Sequence, residues 1–281
     1  MSEELFGIRS MLFLPASNPR AIAKARESGA DLVVLDLEDA VKPEDKEQAR
    51  AAAAAAVAIE WPMPVAIRVN GVGSKWHDDD LEAVSHSKVH LVVLPRAASA
   101  DAVRATNEWV GRPTLAMIET AAGVLAAPEI ARECAGLIAG TNDLAADLHL
   151  PPDAGREPLQ TALQSIVLAA RAAGIVVFDG VFNGLDDDEG FIAQAAEGRW
   201  LGFDGKSLIH PSQVEPCHRA FAPSEAEIDR ARRLIATATA TGGAERFEDQ
   251  MIERMHVEAA ERLLGRAVSR HPGEGRDLGS D

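Results

Sequence analysis

The chain is 281 residues long, 47% apolar and 26% charged, with a formal charge of −16. That length suits one large α/β domain with a sizeable core, and the composition is ordinary for a globular protein. So acidic a chain repels phosphate backbones and anionic lipid, which argues against nucleic acid and membrane partners and leaves an anionic substrate to be held by local cations or a metal.

Met1-Ser2-Glu3-Glu4 lacks the basic start and apolar run of a signal peptide, and the longest apolar stretch, residues 51–59, is too short to cross a bilayer. The two cysteines, Cys134 and Cys217, have no metal-ligand spacing and are too few for a disulfide framework. A cytoplasmic protein with reduced thiols is expected.

Short apolar runs recur along the chain at residues 11–14, 32–37, 65–69, 89–94, 115–118, 136–139, 175–178 and 201–209. Alanine-rich segments of helical length lie between them, such as 19–28 and 45–58. This alternation calls for a parallel sheet covered on both faces. Charged and turn-forming residues gather where the runs end: Asp36, Glu38 and Asp39; Arg68 and Asn70; Pro95 and Arg96; Glu119; Asn142 and Asp143; Asp179; Lys206 and His210. A closed (β/α)8 barrel of the TIM type brings all eight ends to one mouth, whereas an open sheet strings them along a line, so the barrel is the expected fold.

After the first run, Asn18 can cap a helix with Pro19 at its first position, and Arg20 and Lys24 could meet a phosphate there or simply be solvated. In the second, alternation points Asp36 and Glu38 to one side and Leu37 to the other. These carboxylates suit groups that orient a cation or metal-bound water, while Asp39 also reads as a solvated turn. Arg68 interrupts the third run, and a buried guanidinium must face anions. It either pairs structurally with Asp36 or Glu38, or grips a substrate oxygen, or both.

Glu119 ends the fifth run and Asp143 follows the sixth, twenty-four residues on and close to one βα unit. Side by side at the mouth, two carboxylates repel unless a proton or cation lies between them, and a hard ion such as Mg2+ accepts such a pair. Position alone does not separate this from two helix-capping acids. His210, before Pro211, reads as a turn-fixing group more than a base. Beyond the barrel, Ser224 and Glu227 have capping-box spacing for a helix to about 238. A second helix is expected over 255–265, and the polar tail 269–281 reads as disordered. The expected organisation is a catalytic barrel at 1–221, a helical extension at 222–268 and that tail.

Several stretches resemble the citrate lyase β-subunit-like family of the HpcH/HpaI aldolase superfamily. They are Arg9-Ser10-Met11-Leu12-Phe13-Leu14-Pro15, the segment 29–41 ending Asp36-Leu37-Glu38-Asp39-Ala40-Val41, and Ile67-Arg68-Val69-Asn70. Leu94-Pro95-Arg96, Ile118-Glu119-Thr120, Gly140-Thr141-Asn142-Asp143-Leu144 and the segment 202–213 around Gly205-Lys206-Ser207 follow in order. The resemblance implies a TIM-like barrel, a homo-oligomer (trimer or hexamer), in which Glu119 and Asp143 hold Mg2+ and Arg68 contacts substrate. Glu119 would also lie against the substrate, and Arg20 and Lys24 would face coenzyme A phosphates.

One motif departs from the family. Where acyl-CoA lyases carry Met-Ile/Val-Asp with an acid/base aspartate, this chain reads Gln250-Met251-Ile252-Glu253-Arg254-Met255. Glu253 can move the same proton, but displacing a base by about 1 Å can cost on the order of 100-fold. The expected activity is Mg2+-dependent cleavage or condensation of a hydroxyacyl-CoA, such as malyl-CoA or citryl-CoA, to an acyl-CoA and a keto acid. The alternatives are a metal aldolase on free keto acids and a binding subunit without turnover.

Overall fold

A computed structural model describes residues 5–241 and 245–268. Eight parallel strands close into a barrel: β1 (Ser10–Pro15), β2 (Leu32–Asp36), β3 (Val65–Arg68), β4 (Leu91–Leu94), β5 (Thr114–Ile118), β6 (Gly136–Ala139), β7 (Val176–Asp179) and β8 (Gly205–Leu208). Each pairs with the next in sequence, and β8 returns to β1 through Met11 opposite Ser207. The fold expected from the alternating runs is the one observed. The eighth run is shorter than the sequence suggested, because Leu201 ends a helix and Gly202 turns the chain at φ +99° before β8 begins.

Every strand residue of β2 to β7 is buried, since the sheet has an apolar layer on each face. Alternation divides the side chains into two clusters. Met11, Leu32, Val34, Val93, Met117 and Phe178 belong to the smaller cluster, which fills the barrel, with Leu5 and Ile8 closing its lower end. Leu12, Val33, Leu35, Val92, Ile118 and Val177 belong to the larger one, beneath the helices.

The helices are α1 (Pro19–Ala25), α2 (Lys46–Ala56), α3 (His77–Ser85), α4 (Ala100–Val110), α5 (Ala121–Ile130), α6 (Thr141–Asp147), α7 (Gln160–Ala173), α8 (Asp188–Leu201) and α9 (Val214–Phe221). Asn18, Ser99, Thr120 and Asp187 each cap one of them by accepting a backbone N–H. Below the barrel Asp31 accepts from both Arg9 Nε and Nη2, and His218 of α9 reaches Ser10 Oγ at 2.7 Å. This tie belongs to the stability face of the barrel rather than its mouth.

The chain divides between Phe221 and Ala222 into two units. The second holds α10 (Glu225–Thr241), the short hairpin β9 (Glu245–Phe247) and β10 (Gln250–Ile252), and α11 (Arg254–Val268). Its start shows the expected capping box, with Ser224 N–H donating to Glu227 and Glu227 N–H to Ser224 Oγ. The hairpin had no counterpart in the sequence reading, and residues 269–281 lie outside the described residues. Among the described residues no helix is long and apolar enough to cross a membrane.

Candidate active site

A cavity of about 400 Å³ opens at the C-terminal ends of the strands. Phe13, Asp36, Asp39, Arg68, Met117, Glu119, Asp143, Asn183 and Ser207 are among its walls. Six of the strand-end positions singled out in the sequence, these five acidic and basic ones with Asn142, therefore line one hollow.

Arg68 is the cation at its base. Its chain position at the end of β3 points it into the barrel, and it is only 8% exposed. Asp36, opposite it in the β2–β3 register, takes Nε at 2.7 Å and Nη2 at 2.6 Å as a bidentate pair. The same carboxylate accepts from the backbone N–H of Glu38 at 2.8 Å and of Ala40 at 3.0 Å, so the β2 loop is wound around it. Arg68 Nη1, which Asp36 does not hold, lies 3.0 Å from Glu38 and 3.6 Å from Asp39, and the guanidinium stacks 5.5 Å from the Phe13 ring. Burial weakens the charged form, but the Asp36 hydrogen bonds and the surrounding carboxylates outweigh it and keep Arg68 firmly protonated. The structural and substrate-facing readings of Arg68 are thus both compatible with its geometry.

Lys46, which the sequence reading passed over, braces this loop from α2. Its buried ammonium donates at 2.7 Å to Leu37 O, Glu38 O and Asn70 Oδ1. Asp80 of α3 in turn accepts from Asn70 N–H and Nδ2. No motif flags either residue; both look like ordinary helix-surface charges until the barrel brings the helices against the loops.

Glu119 is 1% exposed, just past β5. Its Oε1 accepts from the backbone N–H of Arg96 at 2.6 Å, while Oε2 is buried without a hydrogen-bond partner. Thr120, not Glu119, caps α5, so the capping alternative fails for this residue. Asp143 lies in the first turn of α6 and is 41% exposed at its side chain, with Arg96 Nη1 at 3.8 Å. Arg96 serves both carboxylates by adopting a left-handed backbone at φ +49°. Gly140 leaves the room Glu119 needs: a Cβ there would run into the Glu119 side chain.

Burial pushes the Glu119 carboxyl up to about 7, and Asp143 adds to the rise against the pull of the Arg96 amide and Arg68. Asp143 is raised by burial and by Asp39. Glu38 is pushed up to about 8 by burial, with Arg68 opposing and Asp39, Glu119 and Asp36 adding. A buried carboxylate oxygen without a partner, beside a second carboxylate that raises its proton affinity, calls for a proton or a cation. Among the described residues no cluster of three or more metal-ligating side chains occurs. The donor set, two carboxylates and open space, fits a hard divalent ion that completes its shell with water and substrate oxygens.

Other strand-end charges lie elsewhere. Asp179 and Lys206 alternate outward and pair at 2.9 Å behind the barrel wall, with Arg156 on Asp179 at 2.6 Å. His210 caps the turn at Pro211–Gln213 through its side chain, the structural role expected of it. Arg20 and Lys24 are exposed on α1, after the mouth end of β1. Glu253 is an exposed residue of the second unit, between β10 and α11, whose backbone N–H donates to His256 Nδ1 at 2.9 Å.

Comparison with known proteins accords with this barrel. A family model described as HpcH/HpaI aldolase/citrate lyase matches residues 9–211, and one described as a C–C bond lyase of the TIM-barrel fold matches residues 155–269. A (3S)-malyl-CoA thioesterase of Cereibacter sphaeroides is 39% identical over 278 residues, covering 95% of this chain and 97% of that protein. The citrate lyase subunit beta of Leuconostoc mesenteroides subsp. cremoris is 34% identical over 286 residues, covering 94% of each. The crystal structure of protein CitE from Mycobacterium tuberculosis in complex with magnesium, acetoacetate and coenzyme A aligns with a TM-score of 0.84 at 34% identity, over 94% of this chain and all of that one.

Proposed function

The chain belongs to the HpcH/HpaI aldolase/citrate lyase family, and from that premise we propose that it is a Mg2+-dependent carbon–carbon lyase acting on a hydroxyacyl-CoA such as malyl-CoA or citryl-CoA. The observation that carries this reading is the unpartnered Glu119 Oε2 beside Asp143, in one cavity with Arg68. Glu119 and Asp143 hold the metal. Mg2+ bound there supplies Lewis-acid polarisation of the keto-acid oxygens and neutralises charge that develops on them.

In the lytic direction the hydroxyl of the hydroxyacyl group gives up its proton, the adjacent C–C bond breaks, and its electron pair passes into the thioester as an enolate. Reprotonation at carbon gives the acyl-CoA, and the former hydroxyl carbon leaves as the keto acid. Arg68, clamped by Asp36 through Nε and Nη2, turns Nη1 to the oxyanion by exchanging its weak contact with Met117 Sδ at 3.8 Å. Glu38 and Asp39 flank that nitrogen and keep its orientation. Glu253 is the candidate proton carrier, supported by its place in Met251-Ile252-Glu253, where the family motif has its acid/base residue. Arg20 and Lys24, exposed beyond β1, are assigned to the coenzyme A phosphates.

The protein works in the cytoplasm as a homo-oligomer. Both cysteines are free, and Leu168 and Trp200 are exposed on the neighbouring helices α7 and α8, which supports an apolar contact between copies.

A second reading, hydrolysis of the thioester, is favoured by the thioesterase relative. A cysteine nucleophile does not suit it, because burial pushes Cys134 and Cys217 up to about 12. Incubation of the protein and Mg2+ with (3S)-malyl-CoA separates the two. Glyoxylate with acetyl-CoA is the expected product, abolished by EDTA. Malate with free coenzyme A thiol would replace the lyase by the hydrolase.

A further inference from the structure

Glu119 Oε2 is not the only stranded polar atom in the cavity. Ser207 of β8 is 1% exposed, lines the same hollow, and its Oγ has no hydrogen-bond partner among the described residues. A buried serine usually satisfies its hydroxyl on a nearby backbone carbonyl, and an unmade bond of this kind costs about 1–3 kcal/mol. Its outward neighbours show what the alternative looks like: Lys206, one residue earlier, spends all its donors on Asp179, Gly180 and Gln194 behind the wall. Ser207 alternates to the inner face, and the cavity it lines also has the side chains of Phe13 and Met117 in its walls, which carry no oxygen or nitrogen.

We propose that Ser207 is a substrate-contact residue, whose hydroxyl donates a hydrogen bond to an oxygen of the keto-acid fragment in the cavity. The proposal rests on this cavity being the lyase site described above. Glu119 and Asp143 lie on the β5 and β6 side, Arg68 comes from β3, and Ser207 reaches in from β8. Such a spread holds a small planar fragment from separate directions, and the β8 contact decides which keto acids fit.

Calorimetry of glyoxylate and of oxaloacetate, each with Mg2+, tests this on the wild type, Ser207→Ala and Ser207→Cys. The alanine variant is expected to bind the keto acid about tenfold more weakly, as loss of one such bond implies. Cysteine, similar in size but a weak donor, should lose less. Mg2+ alone should bind as in the wild type. The ligand-free melting temperature of Ser207→Ala should be unchanged or raised, since no protein partner is left behind. Equal keto-acid affinity in wild type and alanine variant overturns the proposal, as does a fall in ligand-free melting temperature, a parallel loss of Mg2+ binding, or a wild type that binds neither keto acid. Because the readout is binding, a wild type that binds keto acids without cleaving any thioester refutes the lyase reading and leaves Ser207 decided.

Discussion

Asp36 satisfies four donors: Arg68 Nε and Nη2 and the backbone N–H groups of Glu38 and Ala40. An asparagine there loses the ion pair and offers one acceptor oxygen instead of two. Breaking a buried pair from one side costs about 3–5 kcal/mol. Asp36→Asn should therefore lower the urea midpoint clearly and reduce kcat by at least about 100-fold, through misplacement of Arg68.

Glu119 governs the response to pH. Folding raises its carboxyl from the ordinary 4.5 to about 7 through burial, with Asp143 adding. The folded chain therefore holds a proton that the unfolded chain has already released between those values. Stability from this group is complete below about pH 4.5 and declines as the pH rises through about 7. Mg2+ must displace that proton, so its affinity should fall by about tenfold per pH unit below 7 and level off above it. Glu119→Gln should abolish Mg2+ binding in calorimetry while leaving the metal-free protein at least as stable near pH 8. A wild-type affinity that is flat from pH 5.5 to 8 would show that Glu119 is not a metal ligand.

At the scale of strands and loops, what the sequence could reveal depended on height and phase separately. Arg68, Glu119 and Asp143 were legible because polar residues at the ends of apolar runs mark the height of the mouth. Asp179 and Lys206 stand at similar height yet face the helices, which the sequence could not indicate. With apolar layers on both faces of each strand, the pattern carries no sign of which phase points inward. Arg96 is legible as a strand-end charge, but its contact with Glu119 is not: that contact is made by its backbone in a left-handed turn, and no side-chain type announces it.

The outward pair has its own task. Burial works against the Asp179 carboxylate, but Lys206 and Arg156 hold it below the usual range. Lys206 also donates to Gly180 O, and Asp179 Oδ1 accepts the Gly180 N–H at 2.8 Å, so the pair fixes the start of the loop that carries Val181 and Asn183 to the cavity. Lys206→Met leaves a fully buried carboxylate with Arg156 as its remaining cation. A loss of about 3–5 kcal/mol in urea unfolding is expected. A variant as stable as the wild type would mean that the pair contributes no net stability and that its ions are replaceable by apolar packing.

Over the whole molecule the charge of −16 opposes the arrival of an anionic thioester, while the cations that can receive it are few and local. At low ionic strength the repulsion reaches about 30 Å, and at physiological salt about 8 Å. Screening therefore removes the long-range barrier before it touches short-range contacts at Arg20 and Lys24 or the partly shielded Arg68. The value of kcat/KM for a CoA thioester should rise severalfold between about 10 and 150 mM salt, the reverse of the fall seen when net attraction steers the encounter. Arg20→Ala combined with Lys24→Ala should lower kcat/KM at every salt concentration and steepen the rise, because it deletes attraction while leaving the net repulsion larger. A wild-type kcat/KM that falls steadily with salt would mean that a local positive field dominates the approach. Rates in the double variant matching the wild type would remove Arg20 and Lys24 from the coenzyme A site.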